Sequence, residues 1–183
     1  MDGHHLIMGK ITDFLTGETL NDTHDERYRQ KIAKLLVEAR GFKPKEIAPR
    51  HELIVKAGDK KAIICVDFVI TLSEKICMIL KYGPGSVVTR VRPSLAASRL
   101  VSGYQVPVVV ITNGEDAEIL NGSKGTVMGR GLESIPSRSA LMKEFHEYSF
   151  EPISARKVEM ESRIAYAFEV DDSCPCDDSI CRI

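Results

Sequence analysis

Residues 62–81 read AIICVDFVITLSEKICMILK: two strand-length apolar runs, Ala62 to Thr71 and Lys75 to Lys81, separated by the polar pair Ser73-Glu74. Short runs rich in Ile, Val and Phe, bounded by turn residues, are the mark of strands rather than helices. A third run, Glu52 to Ala57, precedes them across Gly58-Asp59, and the three together predict an antiparallel meander with short turns. One carboxylate, Asp67, stands inside this apolar setting, in Cys65-Val66-Asp67-Phe68-Val69. A charge embedded in an apolar strand is costly unless it is paired or coordinates a metal. Asp67 is therefore the strongest functional pointer in the chain, against the plainer alternative of an aspartate that faces solvent or caps a turn.

Before the meander, Asp25 to Arg40 places Tyr28, Ile32, Leu35, Leu36 and Ala39 at the spacing of one helical face, and Gly41 supplies a C-terminal stop. After it, Pro93 suits a first helical turn, followed by a stripe of Leu95, Ala96, Arg99, Leu100 and Gly103 whose small residues imply close packing. Val106 to Thr112 is a near-continuous β-branched run, as expected of a central strand covered on both faces. Asn113-Gly114 turns the chain into a partner strand, Ala117 to Leu120, and Asn121-Gly122 leads to an edge at Gly125 to Met128. Helices are expected over Ala140 to Tyr148, capped by Ser137 or Ser139, and over Ile153 to Phe168. The order α, βββ, α, β, ββ, α, α predicts an α/β (α+β) fold, a mixed central sheet flanked by helices. It divides into a lead-in (1–23), an α/β domain (24–150), a helix packing on it (151–170) and an acidic, cysteine-bearing tail (171–183).

The composition is that of a globular domain: 183 residues, 43% hydrophobic and 28% charged. With 25 basic and 26 acidic residues the formal net charge is −1, so no global basic field drives non-specific nucleic-acid binding and any DNA contact must be local. No apolar run is long enough to span a membrane and the opening residues lack the pattern of a secretory signal, so a cytoplasmic protein is expected. The five cysteines do not form a secreted disulfide framework.

Phosphodiester cleavage with a metal needs hard oxygen ligands, normally carboxylates, beside a cation or base near the attacking water. Twelve residues beyond Asp67 comes Ile79-Leu80-Lys81, at the end of the next strand. The helix Glu26-x-x-Arg29-x-Lys31-Ile32-x-x-Leu35-Leu36, the strand Val66-Asp67-Phe68, Ile79-Leu80-Lys81 and the run from Pro107 to Thr112-Asn113-Gly114 resemble the N-terminal, nuclease-like domain of type I restriction enzyme R subunits. The resemblance covers roughly residues 25–135. It implies membership of the PD-(D/E)xK, restriction-endonuclease-like superfamily, with that fold and with Mg²⁺- or Mn²⁺-dependent DNA cleavage. Under it Asp67 matches the metal-binding aspartate, Lys81 the catalytic lysine and Glu26 the helix glutamate, so that Asp67 and Glu26 would hold the metal. Ile79 departs from the pattern, standing where a carboxylate is usual, and an isoleucine cannot bind a metal. Helical geometry also sets Glu26 well off the stripe of Ile32 and Leu36.

Two function classes follow. One is a metal-dependent deoxyribonuclease acting through Asp67, Lys81 and Glu26, for which Ile79→Glu is expected to strengthen divalent-ion binding. The other is a catalytically inactive module of the same fold that binds nucleic acid or a protein. In either case Lys81, Arg90, Arg92 and Arg99, interrupted by Gly83 and Gly85, form the best DNA-facing run. Enzymes that cut both strands often pair two copies, so a homodimer is also an expectation. Cys174, Cys176 and Cys181 offer three thiolates, one short of a closed zinc or iron–sulfur site, among acidic neighbours that disfavour thiolate. Gly125 to Gly131 lacks the Lys-Ser/Thr of a phosphate-binding loop, and no ATP binding is expected.

Overall fold

A computed structural model describes residues 6–171 and 181–182, with side chains described through residue 170. The elements are β1 (Lys10–Thr12), β2 (Thr19–Asn21), α1 (His24–Lys34), β3 (Ile47–Ala57), β4 (Lys60–Leu72), β5 (Lys75–Tyr82), α2 (Val91–Leu100), β6 (Val108–Thr112), β7 (Ala117–Asn121), β8 (Val127–Arg130), α3 (Arg138–Glu144), α4 (Ala155–Tyr166) and β9 (Cys181–Arg182). Wider π turns prolong α1 over Leu35–Ala39 and α4 over Ala167–Asp171. The central sheet runs β3-β4-β5-β6-β7-β8, and β9 pairs with Ala62 and Ile63 of β4. All neighbours are antiparallel except β5 and β6. A parallel pair cannot be closed by a tight turn, and α2 is the crossover between these two strands.

The mixed α+β architecture and the meander are those expected from sequence. Strand β6 starts at Val108, two residues later than the β-branched run suggests, because Pro107 has no N–H to give the ladder. Its residues alternate between two cores: Val108 and Val110 join Ile32, Leu36 and Leu141 on the α1/α3 side, while Val109 and Ile111 join Leu95, Ala96, Ala165 and Tyr166 on the α2/α4 side. Ser137, not Ser139, caps α3 by accepting the Ala140 amide. The lead-in contains a hairpin, β1-β2, that periodicity missed. Its strands have three residues each, too short to show alternation, and its turn is closed by the Asp13 carboxylate accepting the Leu15 and Thr16 amides. Among the described residues no helix is long and apolar enough to cross a membrane.

One irregularity in β4 positions the site. Ala62, Ile64 and Val66 face the α2/α4 core, whereas Phe68, Ile70 and Leu72 face the α1/α3 core. Residues two apart in a regular strand share a face, so the strand changes face at Asp67. The β3-β4 ladder skips the Arg50–Asp67 step between His51↔Val66 and Pro49↔Phe68, and Arg50 takes a positive φ of 50°. A non-glycine residue with such a φ inside a strand re-aims its side chain.

Candidate functional site

Asp67 lies at this break with 7% exposure. The β4-β5 register ends at Phe68↔Leu80 and Val69↔Ile79, one step short of Asp67. Asp67 Oδ2 accepts the backbone N–H of Tyr82 at 2.7 Å, so its side chain stands in for a ladder partner. Its other oxygen, Oδ1, accepts from Arg29 Nε at 2.7 Å. Arg29 comes from α1, whose N-cap Thr23 accepts the Glu26 amide at 3.1 Å and thereby fixes the first turn. The same guanidinium lies 3.9 Å from Glu26 Oε2 and 5.2 Å from the centre of the Tyr82 ring. Burial works against its charge, but Asp67 foremost, then Glu26 and Asp25, outweigh that and raise its pKa, so Arg29 stays cationic.

Glu26 is buried, contrary to what the stripe of Ile32 and Leu36 led one to expect. Glu26, Gln30 and Ala33 form a second inward row beside the apolar one, spaced four and three residues apart. Glu26 Oε1 accepts from Gln30 Nε2 at 2.7 Å and from Arg50 Nη2 at 2.5 Å. Arg50 Nη1 donates to Asp13 Oδ2 at 2.7 Å, and Gln30 Nε2 also reaches that oxygen at 2.9 Å. Burial opposes the Asp13 charge, yet the Thr16 amide, Arg50, Gln30 and the Leu15 amide together hold its carboxyl down at about 2. A continuous polar chain therefore runs from Asp13 through Arg50, Glu26 and Arg29 to Asp67. Three carboxylates share two guanidiniums, which is how buried charges persist in a fold.

Lys81 does not join this chain. Its ammonium donates to Cys65 O at 2.8 Å and pairs with Glu169 Oε2 at 3.0 Å, on the face that packs against the π turn after α4. The Cys65 thiol beside it is pushed up by burial. Ile79, two residues before Lys81 on the same face, is fully buried in the α2/α4 core between Val69 and Val109. The arginines also separate. Arg92 Nη1 and Arg99 Nη1 each lie 2.7 Å from an oxygen of Glu161, itself 3% exposed on α4. Arg90 folds over Gly83, where any Cβ would strike its guanidinium, and donates to Pro84 O at 3.2 Å. Cys174 and Cys176 lie outside the described residues, as does the side chain of Cys181.

As arranged, these donors do not fit a divalent metal. One oxygen of Asp67 is held by a guanidinium and the other by an amide, Glu26 is shared between Arg50 and Gln30, and position 79 is apolar. Among the described residues no group of three His, Cys, Asp or Glu side chains converges as a metal site. What the arrangement can do is hold anions near cations and keep α1 locked on the sheet. Sequence reading gave Asp67, Glu26 and Lys81 but assigned no role to Asp13, Arg29, Gln30, Arg50, Glu161 or Glu169. Only Arg29 carried a signal, its place in the helix motif three residues after Glu26.

Residues 24–136 match the protein family described as type I restriction enzyme R protein N terminus. No curated protein and no solved structure matches the chain significantly.

Proposed function

Because the chain belongs to the family of type I restriction enzyme R protein N-terminal regions, we propose that it is a DNA-contacting module of restriction-endonuclease-like ancestry with a catalytically silent site. The observation that carries the silence is Arg29 seated on Asp67 at 2.7 Å. A divalent ion at Asp67 would need oxygen ligands within about 2.0–2.6 Å, and a guanidinium bonded to that carboxylate takes the position and supplies the positive charge instead. Ile79 removes the neighbouring ligand, and Lys81, committed to Glu169 and Cys65 O, is turned away from Asp67. The family supports the DNA contact. The cations to which it is assigned are Lys81, Arg90, Arg92 and Arg99, with the backbone of residues 83–89 leading into α2.

Two measurements on the full chain test this reading. Plasmid DNA incubated with protein and Mg²⁺ or Mn²⁺ should remain intact, equally for wild type and Asp67→Ala. Cleavage by wild type that Asp67→Ala abolishes would restore the nuclease. A labelled duplex should bind with an affinity that falls as salt rises, and Arg90→Gln, which leaves the Glu161 pairs intact, should weaken it and flatten the salt slope by about one unit. An absence of binding at low salt would remove the DNA assignment.

A further inference from the structure

Three of the four cations assigned to DNA are already occupied by one element. Glu169, on the π turn after α4, pairs with Lys81 at 3.0 Å, and Glu161, on α4 itself, takes Arg92 and Arg99 at 2.7 Å each. Glu161 and Glu169 lie eight residues apart, about 12 Å along a helix. The acids look inward: the Glu161 side chain is 4% exposed, whereas that of Glu159 on the same helix is 65% exposed and pairs with its neighbour Arg163. Carboxylate oxygens accept from arginine and lysine in the same charge-assisted way as phosphate oxygens. The helix that supplies them begins at Ala155, beyond the residues 24–136 that match the family.

We propose that the β5/α2 face is a surface for a nucleic-acid phosphate backbone, and that α4 occupies it in cis, with Glu161 and Glu169 standing where phosphates would. This rests on the reading of the chain as a DNA-contacting module and adds how that contact is limited. A tethered carboxylate competes at a high effective concentration, so free DNA meets cations that are already neutralised. Ala165, Tyr166 and Val170 pack this element into the core, so Lys81 and Arg99, whose side chains are 8% and 12% exposed, are released only when the element gives way locally after its carboxylates are neutralised. Arg92, at 39% side-chain exposure, is the member of the group best placed to reach a ligand first.

The test compares Glu161→Gln/Glu169→Gln with a control of equal charge change, Glu159→Gln/Glu133→Gln, both in the full chain. Binding of a fluorescent 20-base-pair duplex is measured across a salt series. The inward pair should tighten binding about tenfold and steepen the salt slope by about three units, as Lys81, Arg92 and Arg99 become available. The control should change affinity less than twofold. Equal gains for both pairs would reduce the effect to net charge and overturn the proposal. So would binding by wild type that the inward pair leaves unchanged, an outcome that spares the DNA-contact reading. Absence of binding by every variant overturns both. Thermal melting verifies folding; should the double variant not fold, Glu169→Gln alone should still steepen the slope by about one unit, and no change in that slope would overturn the proposal.

Discussion

Replacing Ile79 with glutamate would restore the carboxylate that the family pattern leads one to expect, and the structure predicts that it damages the fold instead of building a metal site. Ile79 is fully buried, flanked by Val69 on β4 and Val109 on β6, with the α2/α4 core above it. Losing a buried isoleucine side chain costs about 2–3 kcal/mol. Burying an unpaired carboxylate adds roughly 2–3 kcal/mol more, even after the group takes up a proton. The total, about 4–6 kcal/mol, is a large part of the 5–15 kcal/mol that typically holds a domain together. In a chain of this size it should lower the melting temperature by roughly 10–20 °C, read by circular dichroism. The introduced acid has a folded-state pKa above its unfolded value, so stability falls as pH rises between the two. The deficit should accordingly be smaller at pH 5 than at pH 7.5. A variant that melts with wild type at pH 7.5 and binds Mn²⁺ more tightly by calorimetry would refute the register and the core placement together.

Arg29→Ala should lower stability by about 3 kcal/mol by leaving Asp67 and Glu26 without their shared cation, and millimolar Mn²⁺ should recover part of the lost melting temperature where it does nothing for wild type. A variant indifferent to Mn²⁺ would show that Arg29 does not occupy a cation's place. The Asp13 carboxyl, held at about 2, contributes stability that is complete above its unfolded value near 4 and is lost as pH falls towards 2. Asp13→Asn should therefore be less stable than wild type at pH 7, by on the order of 1–2 kcal/mol, with the difference vanishing by about pH 2 in acid-unfolding curves. Gly114 has a φ of +88°, and a Cβ there would strike the Tyr28 ring. Gly114→Ala should cost about 2 kcal/mol in urea unfolding, and a Tyr28→Ala background should relieve the steric part but not the backbone part.

The legible and illegible parts of this protein divide by the range of the interactions involved. The meander, the central β6 strand, the turn at Asn113-Gly114 and the helical stripe of α1 could be read from sequence, because hydrophobic period and turn chemistry are local. The β1-β2 hairpin was not legible: three-residue strands carry no period, and what closes the turn is a side chain, Asp13, whose other oxygen is held by Gln30 and Arg50. The π turns are equally silent, since they lengthen an ordinary amphipathic pattern without altering it.

Burial cost alone singled out Asp67, and the strand did place it in the interior. Its partners could not be inferred. Arg29 is 38 positions away, and the Arg50 that links Glu26 to Asp13 reaches them only because both strands break their alternation at the Arg50–Asp67 step. The same limit applies to Lys81, which a linear reading sets beside Asp67, while the fold gives its ammonium to Glu169, 88 residues further on. The sequence by itself determined which segments are strands and helices and that one carboxylate must be paired inside. Only the tertiary structure decided which cation pairs with it, because electrostatic partners are chosen by proximity in space, and nothing along the chain records that distance.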